Sequence, residues 1–232
     1  MRLSIVLSLV SCALAASAAS ASADIWVETG PSFGNPPQAD AGNLIGGPNV
    51  NLTAGIGSLT GINGNMLNGS DTDLYCIRIT DPAAFSAQTL SGSPTGNLSL
   101  ALFSVTGAGI VANYDLSAAD INARITGASV PGPGLYYLLV FGLAQYPTDT
   151  DVNFIFSPAL TSSGATGEIL PSAGVGALTG YGFDFTAGFP PFTPFSYSVS
   201  LTGAEFHQQV PTPAAAGLLG AALGLSTLRR RR

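Results

Sequence analysis

The chain has 232 residues, with 29 Gly, 16 Pro and only 9% charged residues, a composition that demands frequent turns and argues against long helices. Its formal charge of −6 hides a sharper imbalance: once Arg2 and Arg229 to Arg232 are set aside, Arg78 and Arg124 face all 13 acids between Asp24 and Glu205, which leaves −11. An acidic, lysine-free body of this kind is repelled by nucleic acid and by anionic membrane surfaces, so nucleic-acid binding is excluded as a function.

Met1-Arg2, the apolar stretch Leu3 to Ala16 and the small residues Ala21-Ser22-Ala23 before Asp24 form a secretory signal peptide over residues 1–23. Leu9-Val10-Ser11-Cys12 competes as a lipoprotein cleavage box, but the apolar run ahead of Cys12 is short for that use, and cleavage after Ala23 is favoured. Export implies the translocon and signal peptidase as partners. Removal of Cys12 leaves Cys76 as one thiol, which excludes an intramolecular disulfide and any multi-cysteine metal site. Residues 24–47 read as an extended segment rich in Gly, Pro and Asn, in which Trp26 either packs on the domain or opens an edge strand.

Short strand-like runs follow from residue 48 and point to an all-β sandwich or barrel. Tyr75, Ile77 and Ile79 alternate with Cys76 and Arg78, which makes Cys76 a small buried hydrophobe in a strand. Leu98, Leu100 and Leu102 share one side, and Gly107-Ala108-Gly109 turns the chain into Ile110 to Ala112. Leu135 to Phe141 is nearly continuous in apolar residues, so both of its faces should be covered. Asn153 to Phe156 is read as a further strand. The span 157–194 is loop-rich and contains Tyr181, Phe183 and Phe185 at strand spacing, which allows an extra edge strand. Tyr197, Val199 and Leu201 alternate with serines as a half-buried strand. One domain, residues 48–206, accounts for these runs.

Residues 207–232 read as a stalk and a tripartite tail: Val210-Pro211-Thr212-Pro213, an apolar run from Ala214 to Leu228, and Arg229, Arg230, Arg231 and Arg232. At 1.5 Å per residue the apolar run makes about 22 Å of helix, against a hydrocarbon core of about 30 Å. The arginines hold its end on the cytoplasmic side. A short, weak span suits a transient inner-membrane anchor better than a permanent one.

This tail resembles the PEP-CTERM sorting signal of Gram-negative bacteria, with Thr212 replacing the usual Glu. The resemblance implies an exosortase-type protease as partner and a destination at the cell envelope, cell surface or extracellular matrix. Across residues 60–206 the body resembles the bacterial pre-peptidase C-terminal domain. The carrying residues are Gly69-Ser70-Asp71-Thr72-Asp73-Leu74-Tyr75, Leu98 to Phe103 with Gly107 and Gly109, Pro131 to Tyr137, and Tyr197 to Ala204. That resemblance implies a non-catalytic, jelly-roll-like antiparallel β-sandwich. The expected fold is therefore such a sandwich between an N-terminal signal helix and a C-terminal apolar sorting helix.

Nucleophilic catalysis needs a base to activate the nucleophile. The chain has no Lys, and its one histidine, His207, falls in the expected stalk. No spacing singles out Glu28, Glu168 or Glu205 as paired carboxylates for glycoside hydrolysis, so no catalytic residue is assigned. Calcium is the candidate cofactor, through Asp71 and Asp73 or through Asp149 and Asp151, since carboxylates and loop carbonyls supply the oxygens it takes. Asx turns account for the same spacing. Two functions follow. The first is a structural or adhesive surface protein. The second is a module for extracellular polysaccharide that uses Tyr146, Tyr181 or Phe183 as stacking platforms.

Overall fold

Among the described residues, two-residue alternation resolves into fifteen strands and two single 3₁₀ turns. In chain order these are β1 (Asp24–Val27), β2 (Asn51–Leu52), β3 (Ala54–Gly55), β4 (Leu59–Met66) and β5 (Thr72–Ile79). After the 3₁₀ turn Pro82–Ala84 come β6 (Ser86–Leu90), β7 (Leu98–Ser104), β8 (Gly109–Asn113) and β9 (Arg124–Thr126). A second turn, Gly127–Ser129, leads to β10 (Gly134–Gly142), β11 (Gln145–Thr148), β12 (Gly180–Phe183), β13 (Phe195–Thr202), β14 (Ala204–Phe206) and β15 (Gln208–Gln209). The computed structural model describes residues 24–28, 41–47, 51–90, 97–117, 119–142, 145–157, 167–183 and 194–209. The expected signal helix (1–23) and the sorting tail from Val210 to Arg232 lie outside the described residues, none of which forms a helix long and apolar enough to cross a membrane.

One sheet has the order β1-β4-β13-β6-β9, and the other β14-β5-β10-β7-β8, with β2 also paired to β5. Read by sequence, β4 to β10 and β13 interleave between the sheets as 4-13-6-9 facing 5-10-7-8. That is the strand order of a jelly roll, a form of the antiparallel sandwich that the strand pattern allowed. All pairings within those eight strands are antiparallel. The added strands β1 and β2 pair in parallel with β4 and β5.

The main core fills the space between the sheets. Leu59, Ile62 and Met66 of β4, Val199 and Leu201 of β13, and Ala87 of β6 meet Tyr75, Ile77, Leu100, Leu102, Leu138 and Val140 of the opposite sheet. A second cluster covers the outer face of β5, β10, β7 and β8: Leu74, Leu139, Phe141, Ala101, Phe103 and Ala112 lie under Tyr114, Tyr146, Ile155, Phe156, Ile169 and Leu178. The continuous apolar run of β10 is thereby covered on both faces, as its sequence requires. The lid is built from edge-to-face rings, Tyr114 on Phe141 at 5.9 Å, Tyr146 on Tyr114 at 5.5 Å and Phe154 on Tyr146 at 5.7 Å, a favoured geometry for aromatic pairs.

Several expectations are corrected. Phe154 forms an isolated bridge to Thr148 in place of a strand over 153–156, because Ile155 and Phe156 turn down into the outer cluster. Trp26 takes up both alternatives open to it, lying in the edge strand β1 and packing on the core, in which Ala41 is also fully buried. His207 does not start a free stalk. Its N–H donates to Thr53 Oγ1 at 3.0 Å, and β15 pairs with β3, so the body holds the chain through residue 209.

The passage from one sheet to the other after β13 occurs at Gly203. Its φ of +64° lies in the left-handed region, and a Cβ there would sit 2.7 Å from Asp81 O and from Phe85 N. Only glycine fits this corner without strain.

Candidate functional site

The outward side chains of β4 and β13 are small, polar and uncharged. Asn63 and Asn65 of β4 stand opposite Ser198 and Ser196 of β13, with Val27 of the edge strand alongside. These residues, with Gly64 and Tyr197 between them, line an open groove of about 430 Å³. Two cross-strand hydrogen bonds order its walls: Ser196 Oγ donates to Asn65 Oδ1 at 2.7 Å, and Ser198 Oγ donates to Asn63 Oδ1 at 2.8 Å. Each asparagine oxygen accepts one of these bonds, which use neither the amide N–H groups nor the serine lone pairs.

Under the groove lies a buried polar layer. The Tyr197 hydroxyl donates to Asp73 Oδ2 at 2.5 Å and meets the Tyr75 hydroxyl at 2.8 Å. Asp73 and Tyr75 are fully buried, and Tyr197 is nearly so. Glu28, also buried, accepts the N–H of Ala41 on one oxygen at 2.7 Å and that of Asn65 on the other at 2.8 Å. Burial holds the Tyr197 phenol far above the ordinary tyrosine range, and the charges near Asp73, Tyr75 and Glu28 push it the same way. Tyr197 is therefore a fixed donor. The layer needs Gly64: a Cβ there would lie 2.4 Å from the Tyr197 ring and hydroxyl and 2.6 Å from the Tyr75 hydroxyl.

The four aspartates singled out for calcium have specific partners. Asp71 Oδ2 accepts Leu67 N–H at 2.5 Å and closes the turn into β5. Asp73 serves the layer just described. Asp149 Oδ1 accepts Asp151 N–H at 3.0 Å and Asn153 N–H at 2.9 Å, while its Oδ2 accepts Gly176 N–H at 2.9 Å and Asn153 Nδ2 at 3.2 Å. These bonds, led by that of Gly176, hold the Asp149 carboxyl below the usual range. Four donors fill a carboxylate, so Asp149 and exposed Asp151 form an Asx-organised loop and do not fit a calcium pair. Among the described residues no three His, Cys, Asp or Glu side chains gather closely enough to hold a metal ion.

The aromatic platforms fare differently from expectation. Tyr146 is buried inside the outer cluster and has no face to offer a sugar. Tyr181 is half-buried, packs against the same cluster, and donates its hydroxyl to Asn43 O. Phe183 is half-buried on β12, opposite Gln145. Cys76 is buried in β5 as expected, and burial pushes its thiol up to about 11 despite the nearby Arg78 charge, which keeps it protonated and unreactive. Glu168 accepts the N–H and hydroxyl of Thr126, and Glu205 stands opposite Arg78 across β14 and β5.

No family model and no curated protein matches the chain. A solved structure to which it is similar is PliG of Aeromonas hydrophila, described as a periplasmic lysozyme inhibitor of g-type lysozyme. The identity is 16%, the alignment covers 61% of this chain and 83% of that one, and the TM-score is 0.26.

Proposed function

We propose that this chain is an exported, non-catalytic structural or adhesive protein of the cell surface or extracellular matrix. The observation that supports the non-catalytic reading is the lining of the groove. Its only ionisable side chain is the Tyr197 phenol, which is buried and titrates far above neutrality. A surface built from amides, hydroxyls and one apolar side chain can recognise a partner, but it has no group poised to accept or donate a proton near pH 7. Export and sorting rest on the residues of the two ends: the signal peptide 1–23 and the tail Val210 to Arg232. The partners in this reading are the translocon, signal peptidase, an exosortase-type protease and, transiently, the inner membrane.

Intact mass of the mature protein, combined with cell fractionation, tests the reading in one experiment. A chain starting at Asp24, trimmed near Val210 to Pro213 and recovered from the envelope or medium is the expected result. A chain that keeps Met1 and stays in the cytoplasm overturns it. Fully buried Asp73, bonded to Tyr197, offers calcium no better site than Asp149, so no calcium site is proposed; an unchanged melting temperature between calcium and chelator is the expected result.

A further inference from the structure

We infer that the groove between β4 and β13 is a binding site for a neutral polysaccharide chain. This deepens the surface-protein reading and supplies its ligand class.

The first argument is hydrogen-bond complementarity. Asn63 and Asn65 each accept one serine hydroxyl, from Ser198 and Ser196, on the carbonyl oxygen. What remains for a ligand is two amide groups with N–H donors and two hydroxyl oxygens with acceptor lone pairs, set side by side in one groove. Sugar hydroxyls both donate and accept, so a chain of them satisfies such a surface without ionic groups. The two Asn–Ser pairs are separated by two residues along each strand, about 6.6–6.8 Å, so the same pair of functions is presented twice along the strand direction. A repeating ligand meets that repetition.

Charge is the second argument. No residue lining the groove is charged, while the body around it carries 13 acids against Arg78 and Arg124. An anionic polymer would meet repulsion from the body and find no cation in the groove. A neutral one meets neither obstacle.

Rigidity is the third. Glu28 fixes the backbone at Asn65, and the Tyr197–Asp73–Tyr75 layer fixes the floor at Gly64. The donors and acceptors are set before the ligand arrives, which lowers the ordering cost of binding. Val27, 53% exposed at the rim, offers the apolar contact that the C–H edge of a sugar ring takes. The groove has no exposed aromatic platform, so recognition rests on hydrogen bonds.

Native gel electrophoresis of the exported protein through dextran, laminarin, hydroxyethylcellulose or galactomannan tests this, with alginate as the anionic counterpart. Retardation is expected in at least one neutral gel and not in alginate. Asn63→Asp with Asn65→Asp keeps the shape and the serine bonds, but removes both amide donors and adds charge. It should weaken retardation at least tenfold with the thermal midpoint preserved. The wild-type chain gives an independent readout: the bound glycan should shift the side-chain amide signals of Asn63 and Asn65 in nitrogen–proton spectra. Migration unchanged in all four neutral gels overturns the inference. So does retardation that the double variant leaves intact, or a glycan that shifts amide signals elsewhere and not these. If glycan binding fails while the mature chain is still found trimmed and exported, the site is wrong and the surface-protein reading stands.

Discussion

Replacing Tyr197 by Phe removes one oxygen from the layer beneath the groove, and the structure sets the size of the effect. That oxygen donates to Asp73 at 2.5 Å and meets the Tyr75 hydroxyl at 2.8 Å, with all three groups buried. A hydrogen bond to a charged acceptor contributes about 1.5–3 kcal/mol, and a neutral one about 1 kcal/mol. The loss therefore sums to about 2.5–4 kcal/mol. Tyr75→Phe removes the neutral bond to the Tyr197 hydroxyl, which contributes about 1 kcal/mol, and leaves the bond to Asp73 in place. Urea unfolding followed by circular dichroism measures both, with the slope of the transition checked for constancy. The diagnostic quantity is the difference between the variants. Equal costs for Tyr197→Phe and Tyr75→Phe would show that the bond to Asp73 contributes nothing beyond a neutral contact, and the account of the layer would fail. A double-mutant cycle with Asp73→Asn should then return a coupling of about 1 kcal/mol or more.

Three further outcomes are expected. Burial raises the Tyr197 and Tyr114 phenols above their unfolded range, so the stability they carry is present below about pH 10 and is lost as pH rises beyond it, at about 2.7 kcal/mol per pH unit for the two. With no lysine to titrate in the same window, a cooperative alkaline unfolding coincident with phenolate absorbance checks this; free ionisation near pH 10 in a folded chain contradicts it. Gly203→Ala places a methyl against Asp81 O and Phe85 N in a left-handed backbone and should cost about 2–4 kcal/mol in the same urea assay. Val152 is 71% exposed with φ +62°, a conformation costly for a β-branched residue. Val152→Asn should raise stability by about 1 kcal/mol, and a lowered midpoint would count against strain at that position.

The strands legible in the sequence are those whose side chains alternate or run apolar without a break. Leu98 to Phe103, Leu135 to Phe141 and Tyr197 to Leu201 fall inside β7, β10 and β13. The most important strand for the site was not legible. Leu-Thr-Gly-Ile-Asn-Gly-Asn-Met of β4 is poor in strand-forming residues, and its inward glycine registers as no hydrophobe at all. It is a strand because Ile62 and Met66 reach the core and because Gly64 leaves room for two tyrosine hydroxyls. The groove escaped for the same reason, since Asn63, Asn65, Ser196 and Ser198 acquire meaning only when β4 and β13 pair. Aromatic residues drew attention to the 145–183 span instead, but tertiary packing uses Tyr146 as core. Asp-x-Asp spacing located two real turns and one buried network, while the hydrogen-bond partners of each carboxylate were not encoded locally.

The attachment of residues 207–209 bears on how load passes into the fold. The N–H groups of His207 and Gln208 bond Thr53, β15 pairs with β3, and β14 lies along β5. Tension applied beyond residue 209 therefore acts first on two or three backbone bonds at a sheet edge. Those bonds can peel one after another while the eight-stranded sandwich stays intact. The short strand pair is therefore the first attachment such a pull meets, and it lies outside the antiparallel pairings that hold the eight-stranded sandwich together.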